Sequence, residues 1–191
     1  MVGIRQRMEG IVVSSGGGTT GTTATGSTAA AAKRRAVTET ALRPVGANAS
    51  LTRVDAADTY TTPLRADDSR EPAAWQAGLF AGVPGWVSAL MGVRHVLVKP
   101  FGLETGGAKS LGDGFPVLSS SPTRIVMGID DKHLDFRLVV DVDEPAGDVA
   151  FTTLVQIHGR SGRAYWAVVK HFHPVVMRSM MARIPSPATP A

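Results

Sequence analysis

Residues 124–158 read RIVMGIDDKHLDFRLVVDVDEPAGDVAFTTLVQIH, and their pattern decides the fold. Three β-rich runs, Arg124–Asp130, Lys132–Asp143 and Asp148–His158, are separated by short polar connections. A two-residue turn at Asp131-Lys132 sets Asp130 opposite His133, Ile129 opposite Leu134, Met127 opposite Phe136 and Ile125 opposite Leu138. A four-residue loop, Glu144-Pro145-Ala146-Gly147, sets Asp143 opposite Asp148. Leu134 then meets Ile157, Phe136 meets Val155, Val140 meets Phe151 and Val142 meets Val149. Both registers put apolar on apolar, and a slip by one residue would turn each apolar row to the wrong face. The pattern predicts an antiparallel meander.

After the meander, a helix is predicted from Ser161 to about Ile184. Tyr165, Val168, Val169, Phe172, Val176 and Met180 recur at three- and four-residue steps and share one face. Ser161 suits the N-cap, Pro174 deletes one backbone hydrogen bond and bends the run, and Pro185 and Pro187 stop it. Before the meander, Ala57–Leu64 reads as a first strand around Tyr60, and Pro72 opens a helix that carries Trp75 and Leu79. Gly82-Val83-Pro84-Gly85 breaks that helix. A second short one follows, with Trp86, Val87, Leu90, Met91 and Leu97 on one side, ending before Pro100. Phe115–Ser119 reads as a further strand. The predicted class is α+β: an antiparallel sheet wrapped on a long C-terminal helix, with two short helices after the first strand. That order resembles the helix-grip architecture of START-like and polyketide-cyclase-like (SRPBCC) proteins, a likeness that implies a cavity between helix and sheet.

The chain has 191 residues, 43% of them hydrophobic, enough for one domain with a true core. With no cysteine, disulfides and thiolate chemistry are excluded. Residues 1–50 carry six basic and two acidic side chains out of 20 and 16 in the whole chain, so residues 51–191 carry fourteen of each sign. A neutral domain behind a basic tail is a poor phosphate-reading surface, and no nucleic-acid partner is expected. Residues 1–50 are rich in Gly, Thr, Ala and Ser and poor in large apolar side chains. They read as a disordered low-complexity tail, with one helix-grip-like domain over 51–185 and a disordered C-terminus over 186–191. Inside the tail, Gly16-Gly17-Gly18-Thr19-Thr20-Gly21 follows Ile11-Val12-Val13 and satisfies G-x-G-x-x-G, with Glu39 at a suitable distance. A dinucleotide site needs that loop between a strand and a helix with further parallel strands, and no second strand precedes Arg53, so the match is read as chance. No run reaches the roughly 18–20 apolar residues of a membrane span, and the N-terminus lacks a secretory apolar core, so a cytoplasmic protein is expected. No cofactor and no metal are expected.

Two segments resemble a specific family, the bacterial domain of unknown function 2867. They are Asp130-Asp131-Lys132-His133-Leu134-Asp135-Phe136-Arg137 and His158-Gly159-Arg160-Ser161-Gly162-Arg163-Ala164-Tyr165, the second running on to Lys170-His171-Phe172-His173. The Trp86-to-Arg94 helix shares the likeness, which covers roughly 55–184. Some relatives of this kind carry the domain behind a Rossmann-type NAD-binding domain. The resemblance therefore implies an NAD-binding protein as one partner, made as a separate chain.

His133, Asp135 and Arg137 alternate along one strand, opposite the apolar row Leu134, Phe136 and Leu138. The register brings His158 across from His133 and Gln156 across from Asp135, with Asp130 on the other side. Such a set serves as a ligand-orienting cluster, a general acid–base pair or a metal site, or else as cross-strand ion pairs that brace a solvated sheet face. His171 and His173 diverge by about 200° on a helix, which rules against a shared metal and makes them surface residues near the kink. Trp75, Trp86, Tyr165 and Trp166 line a cavity in one reading and fill the core in the other. No G-x-S-x-G, P-loop or zinc-type spacing occurs. The expected function is binding of an apolar or amphipathic small molecule between helix and sheet, with Trp86, His133, Asp135, Arg137, His158, Tyr165 and Phe172 as candidate contacts. The alternatives are a cyclase, hydratase or isomerase using His133 or His158 as base in the same cavity, and an accessory domain that docks on an NAD-binding partner.

Overall fold

Alternating β-branched and polar residues build the sheet. A computed structural model describes residues 34–46, 49–90 and 115–186. The strands are β1 (Thr38–Thr40), β2 (Ala56–Pro63), β3 (Val117–Ser120), β4 (Arg124–Asp130), β5 (Leu134–Asp143) and β6 (Asp148–Ile157). They form one antiparallel sheet in the order β1-β2-β6-β5-β4-β3, so the first long strand lies beside the last. Helix α1 (Pro72–Ala81) has Pro72 in its first turn and Gly82 at its C-cap. Residues 85–90 are also helical (α2), and α3 (Gly159–Met181) follows β6 directly. The result is the expected α+β class in a helix-grip-like arrangement. The remainder of the expected second helix, beyond Leu90, lies outside the described residues.

The β5–β6 register is the predicted one, from Leu134↔Ile157 to Asp143↔Asp148. Its loop is closed by Gly147 N–H donating to the Glu144 carbonyl, and Gly147 has a φ of +69° that suits glycine. The β4–β5 register is shifted by two residues from the predicted one. Asp130 pairs with Asp135, Ile129 with Phe136 and Met127 with Leu138, because the connection is a four-residue loop rather than a two-residue turn. The His133 carbonyl in that loop accepts the His158 N–H at 2.7 Å, which ties it to the end of β6.

One sheet face carries the main core. Tyr60, Met127, Leu138, Val140 and Phe151 pack with Trp75 and Leu79 of α1 and with Met177, Met180 and Met181 of α3. Trp75 is fully enclosed, its indole N–H donates to the Ser69 carbonyl at 2.9 Å, and it meets Phe151 edge-on. The other face is covered too, by two residues of the expected tail and the first of the expected domain. Val45, Ala49 and Leu51 lie against Val126, Val139 and Leu154. Order therefore reaches upstream of Leu51 to at least Arg34, and the G-x-G-x-x-G stretch lies outside the described residues. Charge holds this upstream segment in place. Arg43 pairs with Asp148 at 2.7 Å and Asp143 at 3.0 Å, and buried Arg35 pairs with buried Asp68 while its guanidinium lies 4.5 Å from the centre of the Trp75 ring. No helix among the described residues is long and apolar enough to cross a membrane.

Helix α3 departs from its predicted boundaries and face. It begins at Gly159 with His158 at the N-cap, so Ser161 lies within the first turn. It ends at Met181, ahead of Pro185. Its buried residues are Gly162, Met177, Met180 and Met181, whereas Val168 and Phe172 of the predicted inner face are exposed. The helix is rolled about its axis relative to the apolar stripe, because the methionines that fill the core lie about a quarter-turn away from it.

Candidate functional site

The two ends of α3 are fixed differently. At the start, a Cβ on Gly162 would come within 2.0 Å of the His133 carbonyl oxygen, so glycine lets the helix press onto the β4–β5 loop. At the end, the three methionines sit in solid core. Between these anchors the facing surfaces are only half buried: Ala56, Leu134, Phe136 and Ile157 on the sheet, and Tyr165, Trp166 and Val169 on the helix. These half-buried apolar groups flank the seam where the first half of α3 meets the sheet.

A polar cluster sits at that seam. His173 Nε2 lies 3.1 Å from Asp58 Oδ2 and 3.2 Å from the Thr153 hydroxyl. Asp58 comes from β2, Thr153 from β6 and His173 from α3, so the cluster bridges helix and sheet at a partly buried position. A carboxylate only accepts, so Nε2–H donates to it and Nδ1 is the ring's accepting nitrogen in the neutral form. The Trp166 ring lies 6.3 Å from the imidazole. Two residues further along the same face of β2 is Tyr60, and two beyond it Thr62. Their hydroxyls are buried and have no hydrogen-bond partner. Burial pushes the Tyr60 phenol up to about 12, with the Asp58 and Glu39 charges adding to it. The phenol is therefore a neutral donor across the physiological range.

The residues singled out in sequence are placed elsewhere. His133 meets Asp131 at 3.3 Å within the β4–β5 loop, and His158 lies 2.9 Å from Asp135, on the face of the sheet that α1 and α3 do not cover. Arg137, 3% exposed on that face, donates to the carbonyls of Ala49, Ile129 and Phe136 and pairs with Asp130 at 2.6 Å. Across from Asp135 in the ladder, the Gln156 side-chain carbonyl accepts from the backbone of Thr52 and Arg53. Arg137 and Gln156 thus fasten residues 49–53 to the sheet, on the face away from α3. Beside it, Asp55 accepts the Ile157 N–H, and this bond, then Arg53, holds its carboxyl below the ordinary range. Trp86 is 43% exposed on α2, and Phe172 faces solvent, so of the seven candidates Tyr165 alone stands at the helix–sheet seam. Glu39 pairs with Arg178. His173, read from sequence as a surface residue, is the group that was missed. Its partners are 115 and 20 residues away, and local spacing carries no trace of them.

A cavity of about 430 Å³ lies on the opposite face, among Leu42, Val45, Ala49, Leu51, Val54 and Leu154. Its lining is largely apolar, and Arg43 at its edge is already committed to two carboxylates.

A family model described as "Protein of unknown function (DUF2867)" matches residues 50–180. The chain belongs to the DUF2867 family. The match takes in β2 to β6 and nearly all of α3, and so includes Asp58, Thr153 and His173 of this DUF2867 domain, while β1, Arg35 and Arg43 precede it. No curated protein and no solved structure matches the chain.

Proposed function

We propose that this domain binds a small molecule with an apolar body and one polar group, held between the N-terminal half of α3 and the sheet. The supporting observation is the His173–Asp58–Thr153 cluster, set among half-buried apolar side chains. Ligand sites combine an apolar lining with a few convergent polar groups. The groove on the opposite face has the lining, with the Ser50 side chain and the already paired Arg43 as its polar groups, but no such bridging cluster. In this reading, Nδ1 of His173 serves as acceptor for the ligand's polar group, and Tyr165 and Trp166 form the wall against its body.

An enzyme of cyclase, hydratase or isomerase type is the second reading, favoured by the same carboxylate–histidine pair. The base is then His173, which bridges helix and sheet, rather than His133 or His158, which meet Asp131 and Asp135 away from that seam.

Native mass spectrometry of the full chain, taken directly from its expression host and after a metabolite screen, tests the binding reading. A non-covalent adduct is expected, weakened at least about tenfold by His173→Leu, a loss of about 1.4 kcal/mol. Val54→Trp, which fills the opposite groove, leaves it unchanged. An adduct lost with Val54→Trp and kept with His173→Leu moves the site to the groove, and a bare chain throughout overturns the reading.

A further inference from the structure

From Val149 to Ala191 the chain has no Asp or Glu and five Lys or Arg, although residues 51–191 are neutral in total. The domain's charge is therefore segregated, and α3 is its positive side. Arg160, Arg163, Lys170 and Arg178 are all exposed on this helix. Among the described residues, Arg178 alone of these four is in an ion pair, with Glu39.

The same helix carries an apolar stripe that faces solvent. Val168, Phe172 and Val175 are 59%, 48% and 55% exposed and follow one another at steps of four and three, along one side of the helix. They are three of the eight large hydrophobic side chains exposed among the described residues. Ala164, one turn earlier, is exposed as well, and Arg160, His171 and Arg178 flank the stripe on one side. The inner face of α3 is spent on the methionine core and on the His173 cluster, so the stripe serves neither.

What covers such a stripe is set by charge and shape. A second copy of this chain would bring one acid-free helix against another, and like charges oppose that pairing. A solvent-facing helix is a ridge, without a groove to seat a partner's side chains. A ridge with apolar residues at its crest and arginines on its flank, on a helix that itself has no carboxylate and meets one only where Glu39 pairs with Arg178, fits a planar anionic surface, where the crest enters the acyl boundary and the cations meet headgroups. We propose that the outer face of α3 docks the domain on an anionic lipid bilayer.

Co-sedimentation of the full chain with vesicles tests this. Binding is expected to vesicles of equal parts phosphatidylglycerol and phosphatidylcholine, with none to phosphatidylcholine alone. It should weaken at least about tenfold between 50 and 500 mM salt as the charges are screened. The double variant Val168→Ser/Phe172→Ser and the double variant Arg160→Glu/His171→Glu should each lose binding by a similar factor. Both pairs are exposed, and an unchanged circular dichroism melt shows that the fold is intact. Free inorganic phosphate at the same headgroup concentration should not compete. No binding to the anionic vesicles at 50 mM salt overturns the proposal. So does equal binding to both vesicle types, or binding that survives the Val168→Ser/Phe172→Ser change, which marks a charge-only association through other basic residues.

Discussion

Arg35 joins four parts of the molecule through one side chain. Its Nε donates to the Ile184 carbonyl at 3.0 Å, Nη1 donates to Asp68 Oδ2 at 2.9 Å, Nη2 pairs with Asp68 Oδ1, and the guanidinium stacks over Trp75. Both members of the ion pair are fully enclosed. Removing one leaves the other charged, buried and unpaired, so Arg35→Ala is expected to cost about 3–5 kcal/mol in urea unfolding. The pair also has a pH signature. Burial alone would raise the Asp68 carboxyl, but the hydrogen bonds from Arg35 and from the Arg65 N–H outweigh it and hold the group below its ordinary 3.8. With the folded value depressed, the unfolded chain binds the proton first as pH falls. The stabilisation is complete above the ordinary value and is lost as pH drops from there through the folded one. Asp68→Asn, though less stable at pH 7, should therefore lose less on going from pH 7 to pH 3 than the parent does. Equal slopes would show that the pair does not report on folding.

At the scale of elements, α3 shows which contacts the helix lives on. Met181 is fully buried against the α1 side of the core, and Met181→Ala should cost about 2–5 kcal/mol through lost burial and a cavity. Val168→Ala, on the outer face, should stay within about 0.5 kcal/mol of the parent. The face predicted from sequence requires Val168 to be buried and costly, so denaturant titration of the two variants separates the alternatives. The reason for the difference was not legible locally. Apolar residues run around much of α3, and which of them turn inward is chosen by the hollow they must fill beside Trp75 and Leu79. The strands were more transparent. The β5–β6 ladder follows from period-two alternation and a loop with one good closure, whereas strand ends shift by up to two residues and β1 carries no such pattern. The β4–β5 ladder slipped by two because a two-residue shift keeps every side chain on its face and still matches apolar with apolar. Alternation fixes the face of a strand, and only the loop fixes the pairing. The site was the least legible part, since His173, Asp58 and Thr153 meet only once helix and sheet are in place.

At the scale of the whole molecule, the upstream segment changes how the domain is delimited. Composition argues that residues before Leu51 cannot order themselves, and by hydrophobic content alone the argument is sound. It fails because the segment's order comes from charges supplied by distant strands and loops. Arg43 finds Asp143 and Asp148 at the β5–β6 turn, Arg35 finds Asp68, and β1 then adds to the free edge of β2. Between them, Val45 and Ala49 cover Val126, Val139 and Leu154. A chain that starts at Leu51 loses all of this at once and leaves Asp68 buried without its cation. The loss is on the order of 5 kcal/mol, dominated by the orphaned carboxylate and followed by the uncovered apolar face. At about 2–4 °C per kcal/mol for a domain of this size, the melting temperature should fall by about 10 °C or more. Differential scanning calorimetry of the two chains under matched conditions reads this directly. A melting temperature within about 2 °C of the full chain, less than the shift expected for 1 kcal/mol, would mean that the segment rides on the sheet without stabilising it. Adding Asp68→Asn to the shortened chain should restore part of the loss, because it removes the buried charge that Arg35 no longer meets. Without such recovery, the cost lies in the uncovered apolar face.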